Sequence, residues 1–196
     1  MSDKRYLALN VAGMATSDGA GVALTRMVGT QQLDMVDPFL MLDRMDNDDP
    51  DTYMAGFPNH PHQGFEPVTV MLEGQMRHQD SVGNDGVLAP GDIQWMTAGR
   101  GIIHSEMPEM ISGKLKGFQL WVNLPAALKM IPPTYQDIPS AEVPIKDTGG
   151  ATVRVLAGTY DGATGPAKAQ IGCAAGSRDR LDDHAGRRPQ CLLLRL

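Results

Sequence analysis

The stretch EPVTVMLEGQMRHQDSVGNDGVLAPGDIQWMTAGRG, residues 66–101, reads as a run of short strands and tight turns. Val68, Val70 and Leu72 alternate with other residues until Glu73-Gly74 turns the chain. A strand with one apolar face has this period of two, because successive side chains point to opposite sides. A polar segment, 77–86, comes next, and then Val87-Leu88, a Pro90-Gly91-Asp92 turn and residues 93–96 make another strand pair. Turn signals spaced about 8–12 residues apart belong to a sandwich or barrel. The predicted class is all-β.

The flanking sequence extends the pattern. Residues 6–29 alternate apolar and small side chains around Asp18-Gly19-Ala20-Gly21, a hairpin whose glycines supply positive φ. Asp37-Pro38-Phe39-Leu40-Met41-Leu42-Asp43 is a candidate buried strand, and Asn47-Asp48-Asp49-Pro50-Asp51 an acidic turn. GFQLWVNL at 117–124 is a further strand. Residues 125–144 then hold Pro125, Pro132, Pro133, Pro139 and Pro144, a density suited to an extended connector. ATVRVL at 151–156 resumes the alternation and 158–165 turns, so a second β unit begins. Residues 167–190 show neither a period of 2 nor one of 3.6, and an apolar stub ends the chain.

Composition narrows the function. The chain has 196 residues, 42% of them hydrophobic and only 5% aromatic, with 22 Gly and 14 Pro, which suits many short strands. A net charge of −6 argues against direct nucleic-acid binding, whose affinity comes from Lys and Arg displacing counterions. No apolar run approaches the roughly 20 residues that span a bilayer, and the start lacks a long apolar leader, so a soluble, cytoplasmic protein with no membrane partner is expected. Cys173 and Cys191 are the two cysteines, too few for a disulfide framework or a thiolate cluster. A metal site must therefore use histidine and carboxylate.

Three of the five histidines fall in two compact pairs, His60-Pro61-His62 and His104-Ser105-Glu106. Residues i and i+2 of a strand share a face, so each pair can present two ligands to one point, and the intervening strands allow the pairs to meet inside a barrel. The predicted site is one mononuclear divalent metal on His60, His62, His104 and Glu106. Such a set suits Fe(II), Mn, Ni, Co, Cu or Zn and leaves two octahedral positions open for substrate or dioxygen. Either pair alone is a weak signal, since Pro61 could mark a surface turn with solvated rings. Glu66, four residues past His62, is a candidate fifth ligand or a group one layer out; a salt bridge is the alternative. His78 reads as a polar-turn residue, Arg100 as an exposed turn cation or an anchor for an anionic substrate, and His184 carries no argument. Trp95, Trp121 and the methionines at 71, 76, 96, 107, 110 and 130 read as core or pocket wall.

GFPNHPHQGFE at 56–66 and QWMTAGRGIIHSEMP at 94–108 together resemble the pirin family, a branch of the cupin superfamily. The likeness extends to DPFLMLD at 37–43, QLWVNLP at 119–125 and PTYQ at 133–136, and covers about residues 5–165. It implies a bicupin, two β-barrels of which the N-terminal one holds the metal, usually iron, on His60, His62, His104 and Glu106. It also implies a quercetin 2,3-dioxygenase activity that opens a flavonol with O2 and releases carbon monoxide, Glu106 acting as the catalytic base. The alternative it implies is a non-catalytic, redox-sensitive regulator that binds a transcription factor or a metabolic enzyme. The expected domains are a metal-binding cupin at 1–125, a connector at 126–148 and the start of a second cupin at 149–196. Residues 172–195, rich in Arg, Asp, Gly and Ala, look like a shifted reading frame of GC-rich DNA, so a truncated second barrel is expected.

Overall fold

The computed structural model describes residues 9–110 and 112–170 and the backbone of Leu192–Arg195; Cys173, Cys191 and His184 lie outside the described residues. The chain is all-β, as its alternation predicts, with short 3-10 turns at Pro50–Thr52, Ala126–Leu128 and Ser140–Glu142. Its strands are β1 (Met14–Asp18), β2 (Val22–Val28), β3 (Phe39–Asn47), β4 (Phe57–His62), β5 (Phe65–Glu73) and β6 (Met76–Asp80). There follow β7 (Asp85–Leu88), β8 (Ile93–Thr97), β9 (Ile102–Pro108), β10 (Leu115–Asn123) and β11 (Thr134–Ile138). The second unit contains β12 (Ile145–Asp147), β13 (Thr152–Ala157), β14 (Thr159–Tyr160), β15 (Ala163–Thr164) and β16 (Leu192–Arg195).

A seven-stranded sheet runs β1-β2-β3-β10-β5-β8-β11 and a four-stranded sheet β4-β9-β6-β7; together they form the N-terminal cupin barrel. The strands after β11 have the three-stranded order β12-β13-β16 and the pair β14-β15. The hairpin read around Asp18-Gly19-Ala20-Gly21 joins β1 to β2, with φ of +60° at Gly19 and +112° at Gly21.

Register determines what each face of the large sheet does, because paired residues share a face. Val68 lies opposite Trp95 and Leu120, while Thr69 lies opposite Gln94 and Gln119. The Val68 face, with Val70, Ile93, Trp95, Leu120 and Val122, packs against Val143 of the connector and against Leu156, Ala157 and Ala167 beyond it. The Thr69 face closes over the small sheet, and its lower end is plugged by Val22, Met45, Tyr53, Phe57, Met71, Met76, Leu88 and Leu115. Both faces of β5 are thus covered, and Pro67 through Met71 are all buried.

Three local expectations change. The polar 77–86 segment contains β6, whose inward residues are Met76 and His78 rather than a run of aliphatics. β7 and β8 do not pair with each other: β7 pairs with β6, and β8 lies between β5 and β11. Residues 134–138 of the proline-rich segment are extended as read, and they are also paired, as the edge strand β11. Prolines flank β11 without entering it, which leaves its N–H groups free to pair.

The turn between β8 and β9 delivers the third histidine. Gly99 has φ of +52°, and a Cβ there would run into the Ile131 carbonyl oxygen. Gly99→Ala is expected to destabilise the fold by about 2 kcal/mol or more, the sum of a left-handed strain and a backbone clash. A urea melt within about 0.5 kcal/mol of wild type would contradict that reading of the turn.

Candidate metal centre

His60 and His62 lie at the end of β4, and β9 carries His104 directly opposite His60 in register. Strand parity sends all three rings inward. His60 Nε2 lies 2.9 Å from His62 Nε2 and 3.0 Å from His104 Nε2, and the three ligand atoms fall within 4.8 Å of one another.

This arrangement tests whether a cation fits. A neutral imidazole offers one N–H and one lone pair, so three Nε2 atoms this close cannot all satisfy one another by hydrogen bonding. Two cis ligands about 2.1 Å from an octahedral ion are roughly 3.0 Å apart, against roughly 3.4 Å on a tetrahedral one. The observed 2.9 and 3.0 Å, both measured from His60, match the spacing of neighbouring ligands on an octahedral ion. One metal ion fits these residues, with positions left over for other ligands.

The electrostatics agree. Burial, and then the neighbouring His104 and His60, pull His62 down to about 3. His104 falls to about 3 through burial and then through His60 and His78. Both rings are therefore neutral near pH 7, the state a metal requires. In the metal-free chain these depressed values make the unfolded state bind more protons below its own value of 6.5. The associated stability is fully present above pH 6.5 and is lost progressively as the pH falls toward 3. Melting temperatures of the metal-free chain should fall between pH 7 and pH 5, with a shallower slope in His104→Gln; equal slopes would contradict the burial of a neutral ring.

Glu106 lies two residues beyond His104 on the same inward face of β9 and is only 2% exposed. The Thr69 hydroxyl donates to its Oε1 at 2.9 Å and the Gln119 amide to its Oε2 at 2.8 Å. Its carboxylate stays outside the group of three converging nitrogens. Both donors are neutral, so Glu106 has no cationic partner in these bonds and each oxygen keeps a lone pair.

Glu66 does not join the site. The β4-β5 turn at Gly64, with φ of +78°, breaks the strand, so an even count from His62 no longer means the same face. Glu66 points to the second unit's side, where its Oε1 accepts from Thr97 Oγ1 at 2.7 Å and its Oε2 from the Gln170 N–H at 3.3 Å. Complete burial pushes its carboxyl above the usual range, against the pull of the Thr97 hydrogen bond. Arg100 is exposed in the β8-β9 turn.

His78 is the residue that sequence reasoning misplaced. It is 1% exposed on β6, its Nδ1 lies 3.2 Å from His104 Nδ1, and its buried Nε2 has no hydrogen-bond partner among the described residues. The Tyr135 ring of β11 meets the His78 ring edge-on at 4.9 Å. Burial and the adjacent Asp80 carboxylate push the Tyr135 hydroxyl up. The pairing of Met76 and His78 on one strand parity is the signal that could have found His78; nothing local marks Tyr135, Thr69 or Gln119.

An aromatic wall borders His62. Trp121 lies 5.2 Å and Phe65 5.0 Å from it, ring centre to ring centre, and the two are 4.5 Å apart with planes tilted by 34°. Trp121 is thus pocket wall and Trp95 is core, while Met71, Met76 and Met96 are core and Met130 is exposed.

Comparison with known proteins follows the same residues. The family model described as Pirin matches residues 21–122. A pirin-like protein of Caulobacter vibrioides is 59% identical over 158 residues, 80% of this chain and 57% of that protein. Two solved structures described as quercetin 2,3-dioxygenase from Acinetobacter baumannii also match. One is 36% identical with a TM-score of 0.69, covering 79% of this chain and 57% of that one. The other is 28% identical with a TM-score of 0.72, covering 80% and 52%. The chain spans about half the length of the curated relatives it matches. Among the described residues no helix is long and apolar enough to cross a membrane.

Proposed function

The chain belongs to the pirin family, and from that premise we propose that it is a metal-dependent dioxygenase, iron being the favoured ion, that opens flavonols such as quercetin with O2. The observation that carries this reading is the convergence of three imidazoles beside a buried carboxylate and an aromatic wall.

His60, His62 and His104 would hold the ion, and Glu106 is the fourth ligand the reading assigns, reached by lone pairs that Thr69 and Gln119 leave free. A bound metal would supply a Lewis acid for the dioxygenase chemistry, which opens the flavonol ring with loss of carbon monoxide. Phe65 and Trp121 offer a flat apolar surface against which a planar aromatic substrate can lie. Glu106 takes the proton of the substrate's 3-hydroxyl. Thr69 and Gln119 aim its carboxylate and keep it from turning away. Each group does something that the unaided substrate in water lacks: orientation, a dry site and a placed base.

The test mixes iron-loaded protein with quercetin in air and follows the visible absorbance. Metal-dependent bleaching supports the dioxygenase. No bleaching across a range of flavonols, with the metal site full, overturns it in favour of a non-catalytic, redox-sensitive module that binds a regulatory partner.

A further inference from the structure

We propose that His78 is the positioning residue of His104, holding that ring in the one tautomer and orientation that can bind the metal; this rests on the metal reading above. The two ring nitrogens of His104 face different partners. Its Nε2 faces His60 Nε2 at 3.0 Å within the converging group, so when it serves as a ligand its proton must sit on Nδ1. That Nδ1 lies 3.2 Å from His78 Nδ1. His104 therefore donates its N–H to a lone pair on His78, and His78 in turn carries its own proton on Nε2.

His60 provides the internal comparison. Its Nδ1 lies 2.8 Å from the Pro58 carbonyl oxygen, which can only accept, so that ring too is fixed with its Nε2 lone pair free. The two rings are oriented by different devices, a backbone carbonyl for one and a buried imidazole for the other. A ligating histidine commonly donates its second N–H to such an acceptor, and the acceptor sets ring orientation and ligand basicity.

The surroundings of His78 show that packing alone does not explain it. The ring is 1% exposed, wedged between the His104 ring at 4.9 Å and the Tyr135 ring at 4.9 Å. Among the described residues its buried Nε2 has no hydrogen-bond partner, a cost that an aliphatic side chain of similar size would avoid. What an aliphatic side chain cannot provide is the acceptor facing His104 Nδ1.

The experiment titrates the metal-free chain with Co(II) and reads the visible absorption of the bound ion, without any substrate. Three variants separate position from bulk. His78→Leu keeps the volume and removes the acceptor. His78→Asn places an amide oxygen near the site of Nδ1, and His78→Gln places its amide near Nε2 instead. Cobalt affinity is expected to fall roughly 10–100-fold in His78→Leu and His78→Gln and to stay close to wild type in His78→Asn. Wild-type affinity in His78→Leu would overturn the assignment, as would equal losses in the Asn and Gln variants. His60→Ala is titrated alongside: if it binds cobalt like wild type, the metal reading itself has failed, and if it loses cobalt while His78→Leu does not, only the role of His78 has failed.

Discussion

His60→Ala is expected to lose both the metal and the bleaching of quercetin while the chain stays folded. Both short nitrogen contacts pass through this residue, 2.9 Å to His62 and 3.0 Å to His104, so removing it leaves two imidazoles with no common neighbour on the ligand face. Loss of an outer partner lowers metal affinity roughly 10–100-fold, and loss of a ligand itself should exceed that. The fold has little stake in the ring. His60 is half-buried near the end of β4, and apart from the converging nitrogens its contact is with the Pro58 carbonyl. The melting free energy of the metal-free variant should therefore lie within about 1 kcal/mol of wild type. Elemental analysis after dialysis and a thermal melt check the two halves separately. Retained metal at one per chain would remove His60 from the ligand set.

Glu106→Gln is expected to keep much of the metal and to lose turnover by roughly 10²–10⁴-fold, the usual worth of a placed general base. The substitution is nearly isosteric, and the three imidazoles are untouched. The Thr69 hydroxyl can rotate and the Gln119 amide can flip, so the pair that now donates to the carboxylate can still bond to an amide. What disappears is the ability to take a proton. Because the aromatic wall of Phe65 and Trp121 is unchanged, KM should move less than kcat. Full activity in this variant, measured at saturating quercetin, would sink the base assignment.

How far the sequence could be read depends on where its periodicity held. His60-x-His62 and His104 were legible because β4 and β9 are regular at those positions, so residues two apart share a face. Glu66 shows where that rule stops: Gly64 and Pro67 already made the even count from His62 doubtful, and the turn at Gly64 removes its meaning. The alternation of Val68, Val70 and Leu72 correctly indicated a strand, yet it marks the face toward the second unit. Thr69, Gln94 and Gln119, on the opposite face, are polar and carry no hydrophobic signature. His78 was hidden in a segment whose outward residues, Arg77 and Gln79, are polar, so β6 looked like a turn. Tyr135 reaches the site only because β11 pairs with β8, a contact between residues about 40 apart that no local pattern announces.

The histidine pairs thus follow from local rules, as does the Pro58 carbonyl that orients His60, while His78 meets His104 only through the long-range pairing of β6 with β9. In the proposed site His60, His62 and His104 hold one ion. X-ray absorption at the edge of the metal that copurifies from the protein's own host measures that directly. The predicted result is one ion per chain with three imidazole nitrogens at about 2.0–2.2 Å and further oxygen ligands. A spectrum without imidazole scattering, or with a shell of oxygen alone, would contradict it.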